Sequence, residues 1–215
     1  MEVSFVDNHL LIVMKPAGLL TQPDDTGGDN LLDIAKAWVK REFQKPGNVF
    51  LEPIHRLDKQ VGGLVLFART SKALSRLNQM MRERKIHKTY RALVEGEPAQ
   101  TDGVLEHYLC HDNYRARVVS SHHSGAKLAR LTYRHLAFTE TQTLLEVQLE
   151  TGRYHQIRAQ FAAIGCPIVG DQKYGSTSRW KEGEIALHHT RLELTHPVSG
   201  VALVYVSPEP FKAHN

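Results

Sequence analysis

The hydrophobic and polar positions of the chain fall into two periods, and the switches between them predict its elements. Leu10–Met14 is an apolar run ahead of Lys15-Pro16-Ala17-Gly18, where proline and glycine force a turn, so it predicts a strand. After Gly27-Gly28-Asp29-Asn30, the residues Leu31, Ile34, Ala35, Trp38, Val39 and Phe43 recur at helical spacing. They predict an amphipathic helix, capped by Asp29 or Asn30 and ended by Pro46-Gly47. Leu64–Ala68, bounded by Gly62-Gly63, predicts a buried strand. Ser71 is the expected cap of the next helix, whose apolar line is Ala73, Leu74, Leu77 and Met81.

Tyr90–Val94 predicts another strand, and Thr143–Leu149 alternates with Leu145, Val147 and Leu149 on one face. Between them, His111–Lys127 reads as an exposed loop or hairpin. A helix from about His155 to Ile164 is stopped by Gly165 and Pro167. Ile185–Leu194 and Val201–Val206 predict strands joined across residues 196–200. Strands outnumber helices and several join as hairpins, which points to the α+β class, with a mixed, mainly antiparallel sheet and flanking helices. Regular strand–helix alternation and a glycine-rich phosphate loop are both missing, which argues against a doubly wound nucleotide fold.

Composition narrows the class. At 215 residues, 41 % hydrophobic and 23 % charged, the chain has the make-up of one folded domain spanning residues 1–215. No apolar run approaches the roughly 20 residues that cross a bilayer, and no basic segment precedes an apolar one at the start, so no membrane association and a cytoplasmic location are expected. Cys110 and Cys166 are expected as buried, inert thiols. The net charge of +4 says little by itself. Its distribution says more, because Arg69, Lys72, Arg76, Arg82, Arg84, Lys85, Lys88 and Arg91 stand against the single acid Glu83. Such a cluster suits phosphate contacts and suits a solvated helix face equally well.

Three segments carry candidate chemistry. His55-Arg56-Leu57-Asp58 sets a carboxylate in a turn before an apolar strand, where it can serve as nucleophile or general base, or simply cap the turn. Thr151-Gly152-Arg153-Tyr154-His155-Gln156-Ile157-Arg158 leads a turn into a helix, with Arg153 and Arg158 expected on different flanks; two solvated arginines are the plainer reading. Lys88-Thr89-Tyr90-Arg91 places an aromatic between cations in a strand, suited to stacking on an unpaired base or to the core.

Taken in order, these segments resemble the RluA-type family of RNA pseudouridine synthases, and the resemblance runs through nearly the whole chain. It includes Asp7–Gly18, His55–Asp58, Lys88–Val94, Thr151–Arg158, the run Gly165–Asp171 through Tyr174-Gly175, Leu187-His188 and His196-Pro197. The resemblance implies an enzyme isomerising uridine to pseudouridine in structured ribosomal or transfer RNA, without cofactor or metal. It implies a pseudouridine-synthase-like fold with a central catalytic cleft. The chain departs from many relatives in having no room for their small N-terminal RNA-binding module, and a monomer is expected because no long apolar helix face is left over. The resemblance implies Asp58 as the catalytic aspartate, Tyr90 as the residue packed on the target base, and Arg158 as the arginine paired with Asp58. Arg56 is the candidate to fill the gap left by the flipped base. His55, Arg76, Arg82, Arg115, Arg117 and Arg153 complete the expected RNA-binding set. The chain departs from the family where Val61-Gly62-Gly63 replaces the usual Thr-Ser-Gly, losing two hydroxyls.

Rival readings are an Asp-dependent nucleoside or glycoside hydrolase, which would want a second carboxylate, and a catalytically silent RNA-binding module. A metal site at His122-His123 or His188-His189 is disfavoured, because adjacent residues point to opposite sides of a strand.

Overall fold

The first apolar run is preceded by a strand that its own sequence pattern does not announce. In the computed structural model, which describes residues 1–25 and 27–211, β1 (Glu2–Val6) pairs antiparallel with β2 (Leu10–Lys15), with a register shift between Val3 and Phe5. α1 (Leu31–Glu42), β3 (Glu52–Pro53), β4 (Gly62–Ala68) and α2 (Ser71–Arg82) follow. Then come β5 (His87–Glu95), β6 (Asp102–Asp112), β7 (Arg115–Val119), β8 (Lys127–Phe138) and β9 (Gln142–Leu149). α3 (Gln156–Ala163), a 3-10 turn at Gln172–Tyr174, β10 (Leu187–Thr195) and β11 (Ala202–Val206) complete the α+β fold.

The described residues form two compact units, Met1–Ile86 with Arg191–Pro208, and His87–Thr190 with residues 209–211. In the first, β2 pairs antiparallel with β4, and β3 pairs with β4 at Glu52–Ala68 and Pro53–Phe67. Leu10–Val13 and all of β4 are buried without alternation, as strands covered on both faces must be. One covered face is explicit: Leu10, Ile12, Leu64, Leu66 and Ala68 pack with Ala73 and Leu77 of α2. Arg191–Thr195 of β10 pairs antiparallel with β11.

Helix starts follow local chemistry. Asn30 caps α1, its side-chain oxygen accepting from the Asp33 N–H at 3.0 Å. The cap of α2 is Thr70 rather than the expected Ser71: the Thr70 hydroxyl accepts from the Ala73 N–H at 3.2 Å, and Ser71 is the first helical residue. Both residue types can cap, and the extended backbone at Thr70 decides between them.

In the second unit the strands run β5-β9-β8-β6-β7, every pair antiparallel. These strands do alternate. Thr143, Leu145 and Val147 are buried in β9, while Leu149, expected on the same face, is only half-buried at the strand's end. The segment around Asn113-Tyr114 is the turn of the β6–β7 hairpin, with Asn113 left-handed. α3 ends where Gly165 takes a φ of +79°, a conformation that L side chains rarely adopt.

Candidate functional site

Asp58 sits in the loop between β3 and β4, half-buried, and the peptides on either side of it are pinned. Before it, the buried Thr21 hydroxyl donates to the Leu57 carbonyl at 2.8 Å and accepts from the Leu57 N–H at 3.1 Å. After it, the Lys59 carbonyl accepts from the Gly18 N–H at 2.7 Å and from Lys15 Nζ at 3.2 Å. The Val61 N–H donates to the Asp58 carbonyl at 3.0 Å, closing a turn over Lys59-Gln60.

Lys15 is fully buried, and its ammonium also donates to the carbonyls of Pro16, at 3.0 Å, and Leu19, at 2.6 Å. Burial pushes the Lys15 ammonium down to about 8, while the negative charge of Asp58 acts against that shift. A loop fixed in this way can hold a carboxylate in one position, which a reacting group requires.

Other features of the Asp58 loop have structural consequences. His55 Nε2 accepts from the Leu66 N–H at 3.2 Å, so this nitrogen serves the strand edge. Arg56 is exposed. Val61 is buried, and Gly62-Gly63 begin β4, Gly63 with a φ of +124° opposite Lys15. In place of hydroxyls the chain thus has a core side chain and a backbone conformation open to glycine.

In the second unit, Tyr90 is buried in β5 and its ring stacks on His189, with centroids 4.7 Å apart and planes at 24°. Arg158 is buried in α3. Its Nε and Nη2 donate to the two carboxylate oxygens of Asp171, at 2.6 and 2.8 Å, in a two-pronged pair with both side chains almost fully buried. Arg158 Nη1 donates to His155 Nε2 at 3.0 Å. A guanidinium only donates, so His155 Nε2 carries the lone pair and Nδ1 the hydrogen. That hydrogen is donated to Tyr174 Oη at 2.9 Å, which also accepts from the Ala116 N–H at 2.7 Å. Burial, and then the neighbouring Arg158 charge, push the His155 imidazole down to about 3. Burial pushes the Tyr174 phenol up to about 12. His155 and Tyr174 therefore both stay neutral across the physiological range.

The segment leading into α3 is folded by one side chain. Gln156 Oε1 accepts from the Thr151 hydroxyl at 2.8 Å and the Arg153 N–H at 3.0 Å, while Gln156 Nε2 donates to the Arg130 carbonyl at 3.1 Å. His155, left-handed at a φ of +49°, makes the entry corner. Arg153 thus precedes the helix instead of occupying one of its flanks, because α3 begins only at Gln156. Arg153 is exposed, and its Nε donates to the Leu128 carbonyl at 2.9 Å.

The basic stretch does not form one surface. Arg69 lies over the Phe43 ring and donates to the Asp7 carbonyl, Arg91 is paired with Glu146 and Glu209, and Lys88 is buried. Lys72, Arg76 and Arg82 remain exposed on α2, with Arg76 donating to the Pro197 carbonyl at 2.7 Å. Lys85 pairs with Glu83 at 2.7 Å. Arg115 and Arg117 are exposed on β7, Arg115 over the Tyr174 ring and Arg117 paired with Asp112 at 3.0 Å. Both cysteines are free; Cys166 is buried but Cys110, on the hairpin strand, is half-exposed, against expectation. Among the described residues no group of three His, Cys, Asp or Glu side chains is placed to hold a metal ion, and no helix is long and apolar enough to cross a membrane.

Thr21, Asp171 and Tyr174 were not singled out from the sequence for these roles. Asp171 and Tyr174 lie in the family-like run that follows α3, but no spacing rule links them to Arg158.

A family model described as RNA pseudouridylate synthase matches residues 9–163. An uncharacterized RNA pseudouridine synthase of Bacillus subtilis, YhcT, is 31 % identical over all of this chain and 70 % of its own length. Ribosomal large subunit pseudouridine synthase D of Nitrosomonas europaea is 36 % identical over 98 % of this chain and 62 % of its own. The chain therefore spans about two thirds of the length of such relatives. The fold is similar to that of human RNA pseudouridylate synthase domain containing 4, with a TM-score of 0.81 over 97 % of this chain and 88 % of that one, at 23 % identity. With its motifs in order, its fold alike and the family model spanning most of its length, the chain belongs to the RluA-type RNA pseudouridine synthases.

Proposed function

We propose that this chain isomerises uridine to pseudouridine in ribosomal or transfer RNA, with Asp58 as its catalytic carboxylate. The observation that carries the reading is the double clamp on the Asp58 loop, Thr21 on Leu57 and Lys15 with Gly18 on Lys59. It holds one carboxylate in place on a motif that the family uses for catalysis. The reaction breaks the N1–C1′ bond, turns the uracil and joins C5 to C1′; the C5 proton is lost and N1 gains one, so substrate and product are isomers. Asp58 acts as the nucleophile or as the base that lets the first bond break.

In this reading Tyr90 packs on the target base and Arg158 is the arginine that serves the carboxylate. Asp171 and His155 hold that arginine's orientation. Arg56 fills the gap left by the flipped nucleotide, and His55, Arg76, Arg82, Arg115, Arg117 and Arg153 contact the RNA, chiefly its phosphates. The chain works as a monomer in the cytoplasm, where its substrate class is found.

The test maps pseudouridine at nucleotide resolution in total RNA from cells carrying the wild-type chain or Asp58→Asn. Specific positions should lose the modification in the variant, while the purified variant keeps its affinity for RNA. Identical maps from the two strains would overturn the assignment and favour an RNA-binding protein without this chemistry.

A further inference from the structure

Two buried lysines of this chain are treated in opposite ways. Lys15 is fully buried and donates to three backbone carbonyls within 3.2 Å. Lys88 in β5 is only 7 % exposed, yet its ammonium has no hydrogen-bond acceptor and no ion-pair partner among the described residues. Burial pushes it down to about 8, and no neighbouring carboxylate acts against that shift. Its stem is buried while its ammonium nitrogen, not among the fully buried atoms that lack a partner, keeps some contact with solvent. Lys15 thus spends its charge on the fold, whereas the Lys88 ammonium is left available to a partner from outside the chain.

The backbone of Thr151-Gly152-Arg153 passes beside Lys88, and Gly152 has no side chain to cover it; a β-carbon there would lie 3.6 Å from Nζ. That segment is held rigid by Gln156 and by Thr151, whose hydroxyl accepts from the Arg130 N–H at 2.8 Å. Side chains alternate along a strand, so Lys88 and Tyr90 project from the same face of β5, their backbones about 6.6 Å apart. That is the scale on which one nucleotide separates its base from its phosphate. An RNA strand whose base packs on Tyr90 would bring a phosphodiester oxygen, the commonest target of a lysine on nucleic acid, into the reach of Lys88.

We propose that Lys88 is a phosphate ligand for the substrate RNA, its ammonium pairing with a phosphodiester oxygen at or beside the target nucleotide. This rests on the reading of the chain as a pseudouridine synthase with Tyr90 against the target base. Arg76, Arg82, Arg115 and Arg117 can grip the RNA from exposed positions, whereas Lys88 is set within the fold and takes only the strand that has entered.

The experiment uses the full chain and unmodified transcripts of large-subunit ribosomal RNA. Binding is followed over a range of salt concentrations, and turnover is measured on the same transcripts with Asp58→Asn as the blank. Lys88→Met should weaken binding about tenfold. It should also reduce the slope of log affinity against log salt by about 0.7, the loss of one single-strand phosphate contact. KM should rise with kcat at saturating RNA changed much less, and the RNA-free protein should be at least as thermally stable as wild type. Lys88→Arg, which keeps the charge, should keep the salt slope. A methylphosphonate at the contacted position should remove the difference between wild type and Lys88→Met.

Unchanged affinity and slope in Lys88→Met would overturn the proposal. So would a fall in kcat with affinity retained, which would place Lys88 in the chemical step, or a difference that survives the methylphosphonate, which would place it on the base. If the wild type forms no pseudouridine while Lys88→Met still loses affinity and slope, the functional reading fails and the phosphate site stands. If the wild type turns over and Lys88→Met binds normally, the reverse holds.

Discussion

Replacing Thr21 by Val exchanges one hydroxyl for a methyl at almost constant volume, and it tests whether the clamp on the Asp58 loop matters. Thr21 is 3 % exposed, and its hydroxyl is both donor to the Leu57 carbonyl and acceptor from the Leu57 N–H. Valine fills the same space, so no cavity forms and the loss isolates the two hydrogen bonds. Each buried peptide group left without its partner costs about 1–3 kcal/mol. With some relaxation of the loop toward water, the sum is about 2–4 kcal/mol. For a chain of this size each kcal/mol lowers the melting temperature by about 2–4 °C, so Thr21→Val should melt about 4–16 °C below wild type. The same relaxation moves Asp58, the next residue after Leu57. A shift on the order of 1 Å at a reacting group costs about a hundredfold in rate. Thermal unfolding followed by circular dichroism reads the first effect, and turnover well below the melting temperature reads the second. Thr21→Ser keeps the hydroxyl and should keep most of the stability and rate. A Thr21→Val protein within about 0.5 kcal/mol of wild type, with wild-type turnover, would refute the reasoning. Lost stability with unchanged turnover would show that the clamp serves the fold and not the carboxylate.

Asp171→Asn removes the anion that takes two N–H groups of the buried Arg158, so it should cost about 3 kcal/mol, readable by urea unfolding; a loss below about 1 kcal/mol would mean the pair contributes little. His155, pushed down to about 3 from an ordinary 6.5, should keep a neutral ring in nuclear magnetic resonance spectra down to about pH 4. Between those two values the unfolded chain binds more protons than the folded one, so the unfolding free energy should fall as the pH falls through that window. A His155 ring that titrates near 6.5 would break the proposed orientation of the network. In wild type, Lys15 at about 8 against 10.5 unfolded should by the same rule make stability rise with pH across that upper window, and Lys15→Met should flatten the rise.

Much of the fold was legible because it rests on local periodicity. Leu10–Met14 and Leu64–Ala68 are short uninterrupted apolar runs bounded by turn residues, and a strand covered on both faces buries nearly every residue of such a run. The helix at Leu31 shows its spacing and its asparagine cap, and the hairpin ending in Val206 shows its turn. β1 was not legible: its residues are half-buried or exposed, and it is a strand only because β2 offers it an edge. The Thr70 cap turned on a backbone angle that no residue type announces.

The candidate site divides along the same line. Asp58, Tyr90 and Arg158 could be named from ordered motifs, since those motifs are contiguous in the chain. Their surroundings could not be. Thr21 reaches Leu57 across 36 residues, Lys15 reaches Lys59 across 44, and Asp171 meets Arg158 across 13. Such pairings carry no period and no spacing, because they arise only when packed strands and helices bring distant peptides together. The two buried lysines make the same point, since each looks in the sequence like one more positive charge. Tertiary packing supplied Lys15 with three carbonyls and, among the described residues, Lys88 with none, and local sequence cannot encode a difference that lies in what distant parts of the chain place around each ammonium.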